Sequence, residues 1–178
     1  PTSFHFSSIG MSIGIGGGSI VSRALGEEIK EKALLSFNNQ ITLTILLAII
    51  ALIVGLFLKI PILNAFGAKG GIMPLAISYF NIVLFGIPFL ALSMMANNNL
   101  RAEGKAKVAM VALLIPSVLN VFLDYLFIDI MNLGMEGAGW ATSIAYIGCS
   151  VFIAYFYISG KGELKVIPQL FKIDKKII

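Results

Sequence analysis

Long apolar runs alternate with short polar stretches along this chain. The runs cover about 4–24, 37–58, 72–96, 108–128 and 138–158, each close to the ~20 residues a helix needs to cross bilayer hydrocarbon. This pattern predicts an all-α fold, a polytopic bundle of five membrane spans over residues 1–160. Residues 161–178, where lysine alternates with isoleucine, leucine and phenylalanine, read as a basic linker or a helix lying on the membrane surface.

Composition strengthens that reading. The 178 residues are 58% hydrophobic and only 12% charged, whereas a soluble domain is typically about a quarter charged. Eight of the nine acidic residues fall at or between run ends, and only Asp124 does not. The net charge of +4 is spread over short loops and a tail rather than gathered in one patch, so nucleic acid is not an expected partner. A lone Cys149 excludes an internal disulfide and a cysteine-based metal site, and a lone His5 excludes a histidine cluster. The chain opens on Pro1, and it is read as a piece of a longer protein.

Loop charge predicts orientation. Arg23, Lys30 and Lys32 follow the first run, Arg101, Lys105 and Lys107 follow the third, and Lys161, Lys165, Lys172, Lys175 and Lys176 lie in the tail. Only Lys59 and Lys69 fall on the other side, which makes the eleven-cation side cytoplasmic. The chain is therefore expected to start outside and end inside, in a plasma membrane, the lipid bilayer being its first partner.

The glycine-rich first run carries Gly10, Gly14 and Gly18 at four-residue spacing, which suits close helix packing. A phosphate-loop reading fails because the G-x-x-x-x-G-K-[ST] lysine is missing. Gly26 is the expected C-cap at the end of this first helix. In the third run, Pro88 predicts a kink, and Asn97, Asn98 and Asn99 stand at the helix end, at most two of them able to face inward.

The fourth run holds the main candidate chemistry. Pro116, Asn120 and Asp124 fall at i, i+4 and i+8, close to one helix face. Pro116 leaves the carbonyl of Ala112 without its helical donor. A carboxylate at membrane depth is costly unless paired, hydrated or protonated, and such residues usually line a cavity or ion path. A mere interfacial cap would require the apolar run to stop at Asp124, yet Tyr125 to Ile128 continue it. Counting inward from the run ends at 1.5 Å per residue puts Asp124 and Thr142 ~8 Å, Tyr79 ~10 Å and Asn120 ~14 Å deep. Carboxylate, amide, phenol and hydroxyl thus share one level, a donor set suited to a proton relay or a hard monovalent cation.

Several strings together resemble the multidrug and toxic compound extrusion (MATE) family. They are Ser22-Arg23-Ala24-Leu25-Gly26, the stretch PFLALSMMANNNLRAEGKAKVAM from Pro88, Asn120-Val-Phe-Leu-Asp124, and Gly137-Ala-Gly-Trp-Ala-Thr142. The resemblance implies helices two to six of the amino-terminal lobe of a twelve-helix transporter. The missing first helix and carboxy-terminal lobe would be further partners. It also implies a cation-coupled antiporter, using H⁺ or Na⁺ and no other cofactor, that exports drugs, organic cations or toxins and is not an enzyme. By the same resemblance Asp124, Asn120, Thr142 and Tyr79 would bind the cation, with Asp124, Asn120 and Thr142 as metal ligands if the ion is Na⁺, and Asn97 would line the substrate cavity. Members often carry proline directly after the helix-five aspartate, whereas Tyr125 stands here, so a different local bend is expected. The partner acid on helix one is absent, which leaves half a site. A related lipid-linked oligosaccharide flippase is the alternative transporter, although no arginine or lysine lies within the centres of the runs. A non-transporting assembly subunit, packing through its glycine face, is the alternative outside transport.

Overall fold

The computed structural model describes residues 18–68 and 70–167. After a helical segment at 18–26 come four long helices: α1 (Lys30–Ala65), α2 (Met73–Ala102), α3 (Ala106–Asp124) and α4 (Gly134–Ile158). A 3₁₀ turn, Gly70–Ile72, leads into α2, and a π-helical turn, Tyr125–Ile130, extends α3. No strand occurs among the described residues. All four helices are long and apolar enough to cross a membrane, and a helix satisfies its own backbone where lipid offers no hydrogen-bond partner. Of the expected fifth span, 4–24, only the end lies within the described residues, and Gly10 and Gly14 lie outside them.

Helix α1 is longer than its apolar run suggests. Its 36 residues extend ~54 Å, well beyond a hydrocarbon core of ~30 Å. Lys30, Glu31 and Lys32 form its first turn, and Lys59 and Pro61, which read as loop residues, lie in its last turns. The connection to α2 shrinks accordingly to 66–72.

Two turns at the same end of the bundle use one hydrogen-bond pattern with different residues. After α2, Gly104 takes the left-handed conformation (φ 74°), Lys105 N donates to Leu100 O at 2.8 Å and Gly104 N to Arg101 O at 2.9 Å. After segment 18–26, Ile29 N donates to Ala24 O at 2.8 Å and Glu28 N to Leu25 O at 3.2 Å. There the left-handed residue is Glu28 (φ 59°), not the expected Gly26, which remains helical. Both are Schellman closures, and the second holds a non-glycine residue where glycine is preferred.

Helices α2 and α4 approach closely enough to bring one backbone against the other. A Cβ on Gly86 would stand 2.9 Å from Ser143 Oγ and 3.0 Å from its Cα, and one on Gly139 3.2 Å from Ile82 Cβ. Ser143 donates across the seam to Ile82 O at 2.8 Å. Small residues and one polar contact are what hold helices together where lipid removes the hydrophobic drive. Helix α1 flanks α2 on one side, and α3 packs on α4 and on the end of α2.

The larger core lies where segment 18–26 ends, α1 begins, α2 ends and α3 begins. Val21, Phe37, Met95, Leu100, Ala109 and Tyr157 are buried there, and the rings of Phe37 and Tyr157 stand 4.9 Å apart. Residues 161–167 join it as an irregular strap rather than a surface helix. Leu164 is fully buried, Glu163 N donates to Glu103 Oε2 at 2.9 Å, and Asn38 clamps the strap from α1. Its Nδ2 donates to Lys165 O at 3.0 Å and its Oδ1 accepts from Ile167 N at 2.8 Å. The rest of the tail lies outside the described residues.

Candidate ion site around Asp124

Asp124 is the last residue of α3 before the helix widens into the π turn. Single π turns inside long helices are often found at functional sites, and this one begins at Tyr125, where a different local bend was expected. The wide turn closes with Met131 N donating to Leu126 O at 3.0 Å. It rests against the start of α4: a Cβ on Gly137 would stand 3.0 Å from Phe127 Cβ and 3.1 Å from its carbonyl oxygen.

Asp124 is half-buried, and its Oδ1 is shielded from solvent with no hydrogen-bond partner among the described residues. One turn earlier Asn120 Nδ2 donates to Thr142 Oγ1 at 3.4 Å, and the Thr142 hydroxyl donates in turn to Ala138 O at 2.9 Å. The threonine proton is therefore spent on α4's own backbone, and its oxygen faces α3 as an acceptor. Tyr79 stands on α2 against Gly139, where an added Cβ would lie 3.5 Å from its ring. Gly139 and Thr142 are three residues apart on α4, so Tyr79 borders the same face. The structure thus brings Asn120 and Thr142 into contact and sets Tyr79 beside them. Asp124 sits one turn from Asn120 but bonds to neither.

Asn97, the residue expected to line the substrate cavity, lies near the end of α2. It is only 3% exposed, and its Nδ2 donates to Ala109 O at 2.7 Å, fastening α2 to α3. Asn99, two residues on, is buried against the opposite neighbour, with Nδ2 donating to Gln40 Oε1 of α1 at 2.8 Å. Two asparagines on different faces are both buried because α2 has a helix on each side. Asn98 lies between them, its backbone in contact range of Gly18.

Sequence reasoning missed Cys149. The Ala112 carbonyl that Pro116 leaves free accepts a hydrogen bond from the Cys149 thiol at 3.1 Å. A thiol is a weak donor, yet it meets an acceptor that would otherwise be buried and unpaired. The available signal was the orphan carbonyl itself, which demanded a donor from a neighbouring helix.

Helices of membrane-spanning length packed into a bundle define a polytopic helical membrane protein. The chain belongs to the MatE family, whose sequence profile matches residues 1–126, a family of transporters rather than enzymes. Multidrug export protein MepA of Staphylococcus aureus (strain MRSA252) is 26% identical over 170 residues, covering 96% of this chain and 38% of that protein. Probable multidrug resistance protein YoeA of Bacillus subtilis (strain 168) is 25% identical, covering 96% of this chain and 39% of that protein. Among solved structures, a MATE in the bent conformation superposes with a TM-score of 0.91 at 29% identity, over 98% of this chain and 39% of that one. An inward-facing multidrug resistance MATE transporter superposes with 0.90 at 29% identity over 97% and 39%, and an outward-facing one with 0.87 at 29% over 98% and 39%. The chain therefore spans about two fifths of the length of the relatives it matches.

Proposed function

We propose that this chain forms most of one lobe of a cation-coupled exporter of amphipathic organic cations, with H⁺ or Na⁺ as the coupling ion. The observation that carries this reading is the shielded, unpartnered Oδ1 of Asp124, one turn from the Asn120–Thr142 pair. A buried charge without a partner is costly, and the cost falls if a proton neutralises the carboxylate or a sodium ion bridges it to the neighbouring oxygens. One carboxylate with the neutral oxygens of Asn120 and Thr142 matches a single positive charge. An ion held here and a cationic substrate would favour different helix arrangements, so occupancy biases one state of the transporter over another. The similar superposition on inward-facing and outward-facing relatives supports a lobe that moves largely as one body. The bias of eleven cations to one side supports a cytoplasmic strap and an Asp124 site towards the outer face.

The test is efflux of a fluorescent organic cation from cells making the intact protein, wild type against Asp124→Asn at equal membrane abundance. Loss of about tenfold or more in export, a barrier change of ~1.4 kcal/mol, is the expected result. Removing Na⁺ and collapsing the proton gradient in turn identifies the coupling ion. Equal export by both proteins would refute the reading.

A further inference from the structure

Away from Asp124, helices α1, α2 and α4 leave between them a cavity of about 400 Å³, with Val166 of the strap at one end. Phe37 and Ile41 line it from α1, Phe89 and Ala96 from α2, and Ala154 from α4. Three hydroxyls border it, those of Ser93, Ser150 and Tyr157, and each is hydrogen-bonded, the tyrosine to Ala96 O at 3.4 Å. Ser93 and Ser150 lie 2.8 Å apart, and each also reaches Phe89 O, at 2.7 and 2.8 Å, so their two protons are already placed. The rest of the wall is apolar and carries no charged side chain, so burying a drug cation there would leave its charge unpaired. The rim, by contrast, is open: Val151 is 62% and Ile158 79% exposed.

Charge gathers at that rim. The Lys161 ammonium lies 5.8 Å from the ring centre of Tyr155. Tyr155 is one helical turn from both Val151 and Ile158, so Lys161 stands beside the opening. Lys165, exposed, directly precedes Val166 on the strap.

From this pairing of a dry apolar cavity with two cations at its mouth, we propose a binding site for an anionic phospholipid of the cytoplasmic leaflet. One acyl chain lies between α1, α2 and α4, and the phosphate is held by Lys161 and Lys165. The leaflet rests on the orientation proposed above. The binding itself does not depend on transport, so the two readings fail separately. Basic pockets between membrane helices on the cytoplasmic side suit anionic headgroups, and a chain in the cavity would cover apolar wall that the strap leaves open. A bound lipid would also hold the strap from the side opposite the Asn38 clamp.

Native mass spectrometry of the intact protein tests the site, with phosphatidylglycerol and phosphatidylcholine of identical chains as the probes. Wild type is expected to retain phosphatidylglycerol about tenfold better than phosphatidylcholine, on the scale of two surface lysines. Lys161→Gln with Lys165→Gln, both at exposed positions, should bring the two lipids level. Ala154→Phe, which fills the cavity, should abolish specific retention of both. Equal retention of the two lipids by wild type overturns the proposal, as does a phosphatidylglycerol preference that survives the double lysine variant. If Ala154→Phe lowers expression, a bulkier residue at the rim, Val151→Trp, gives the same reading, and unchanged lipid retention there also overturns it.

Discussion

Where α1 begins and α2 ends, Gln40 and Asn99 exchange hydrogen bonds, at 2.8 Å one way and 3.4 Å the other, inside a shell of buried aliphatic and aromatic side chains. Asn99 also reaches the carbonyl of Met95 at 3.0 Å, and Asn97 bonds Ala109. At the π turn, Asp124 is also shielded, but Oδ1 bonds nothing among the described residues. The first region holds neutral amides that are nearly all paired, with Thr44 Oγ1 left over. The second holds a charge that is not. A neutral hydroxyl without a partner costs a modest amount, whereas an unpaired carboxylate is a standing penalty that only a ligand, a proton or water removes. The amide region therefore behaves as packing, and the Asp124 region as a site. Stability should be sensitive in the first and insensitive in the second, and transport the reverse.

The largest effect on stability is expected at the α2–α4 seam. Gly86→Leu would force a side chain against the Ser143 backbone and should cost about 3 kcal/mol, the upper end for overpacking, read as a lowered melting temperature in detergent. A variant as stable as wild type would mean that the helices are free to part there. Next comes Asn99→Leu, which strips Gln40 of its partner and leaves a buried amide unpaired. A loss of about 2 kcal/mol is expected, with Gln40→Leu added on top recovering part of it. Asp124→Asn, which removes the charge without changing shape, should by contrast leave stability undiminished or raise it while abolishing coupled export. Comparable destabilisation at Asn99 and Asp124 would erase the distinction between the two regions.

A further substitution probes the link between them. Cys149→Ala withdraws the donor from the carbonyl that Pro116 leaves open, and should cost about 1 kcal/mol. Cys149→Ser, which keeps a donor, should recover most of that. If alanine and serine behave alike, the thiol contributes volume and the carbonyl has found another partner.

Much of this architecture was legible because membrane spans announce themselves locally. A run of twenty apolar residues needs no distant partner to be recognised, and the level shared by Asn120 and Thr142 followed from counting inward along two helices. What was hidden depends on contacts across long sequence separations or on charged residues within helices. Lys30 and Lys59 look like loop residues, yet both are helical, since a helix may project beyond the lipid at no cost to its backbone. The strap read as a linker or a surface helix, and its lysine–apolar alternation gives no hint of Asn38, 127 residues away. The bond from Asn97 to Ala109 had no signal in the sequence, because amides at a helix end are ambiguous until the neighbouring helices are placed. Glu28 in a left-handed cap had no signal beside a nearby glycine that looked better suited.

The smallest expected effect concerns Glu103, where the strap is tied to the end of α2. Burial pushes its carboxyl above the ordinary carboxylate value, against the opposing influence of the hydrogen bond from Glu163 N. One oxygen, Oε2, accepts from Glu163 N at 2.9 Å, while Oε1 is buried without a partner. A group that binds its proton more tightly folded than unfolded favours the folded state at low pH. Its contribution is complete below the ordinary carboxylate value and is lost as pH rises through the raised one. The melting temperature should accordingly climb slightly on mild acidification, and Glu103→Gln, fixed in a neutral form, should remove that slope while keeping an acceptor for the Glu163 amide. A slope unchanged in the glutamine variant would assign the pH response to another group. A slope of opposite sign in wild type would mean that the hydrogen bond outweighs burial and that Glu103 anchors the strap as a charged residue.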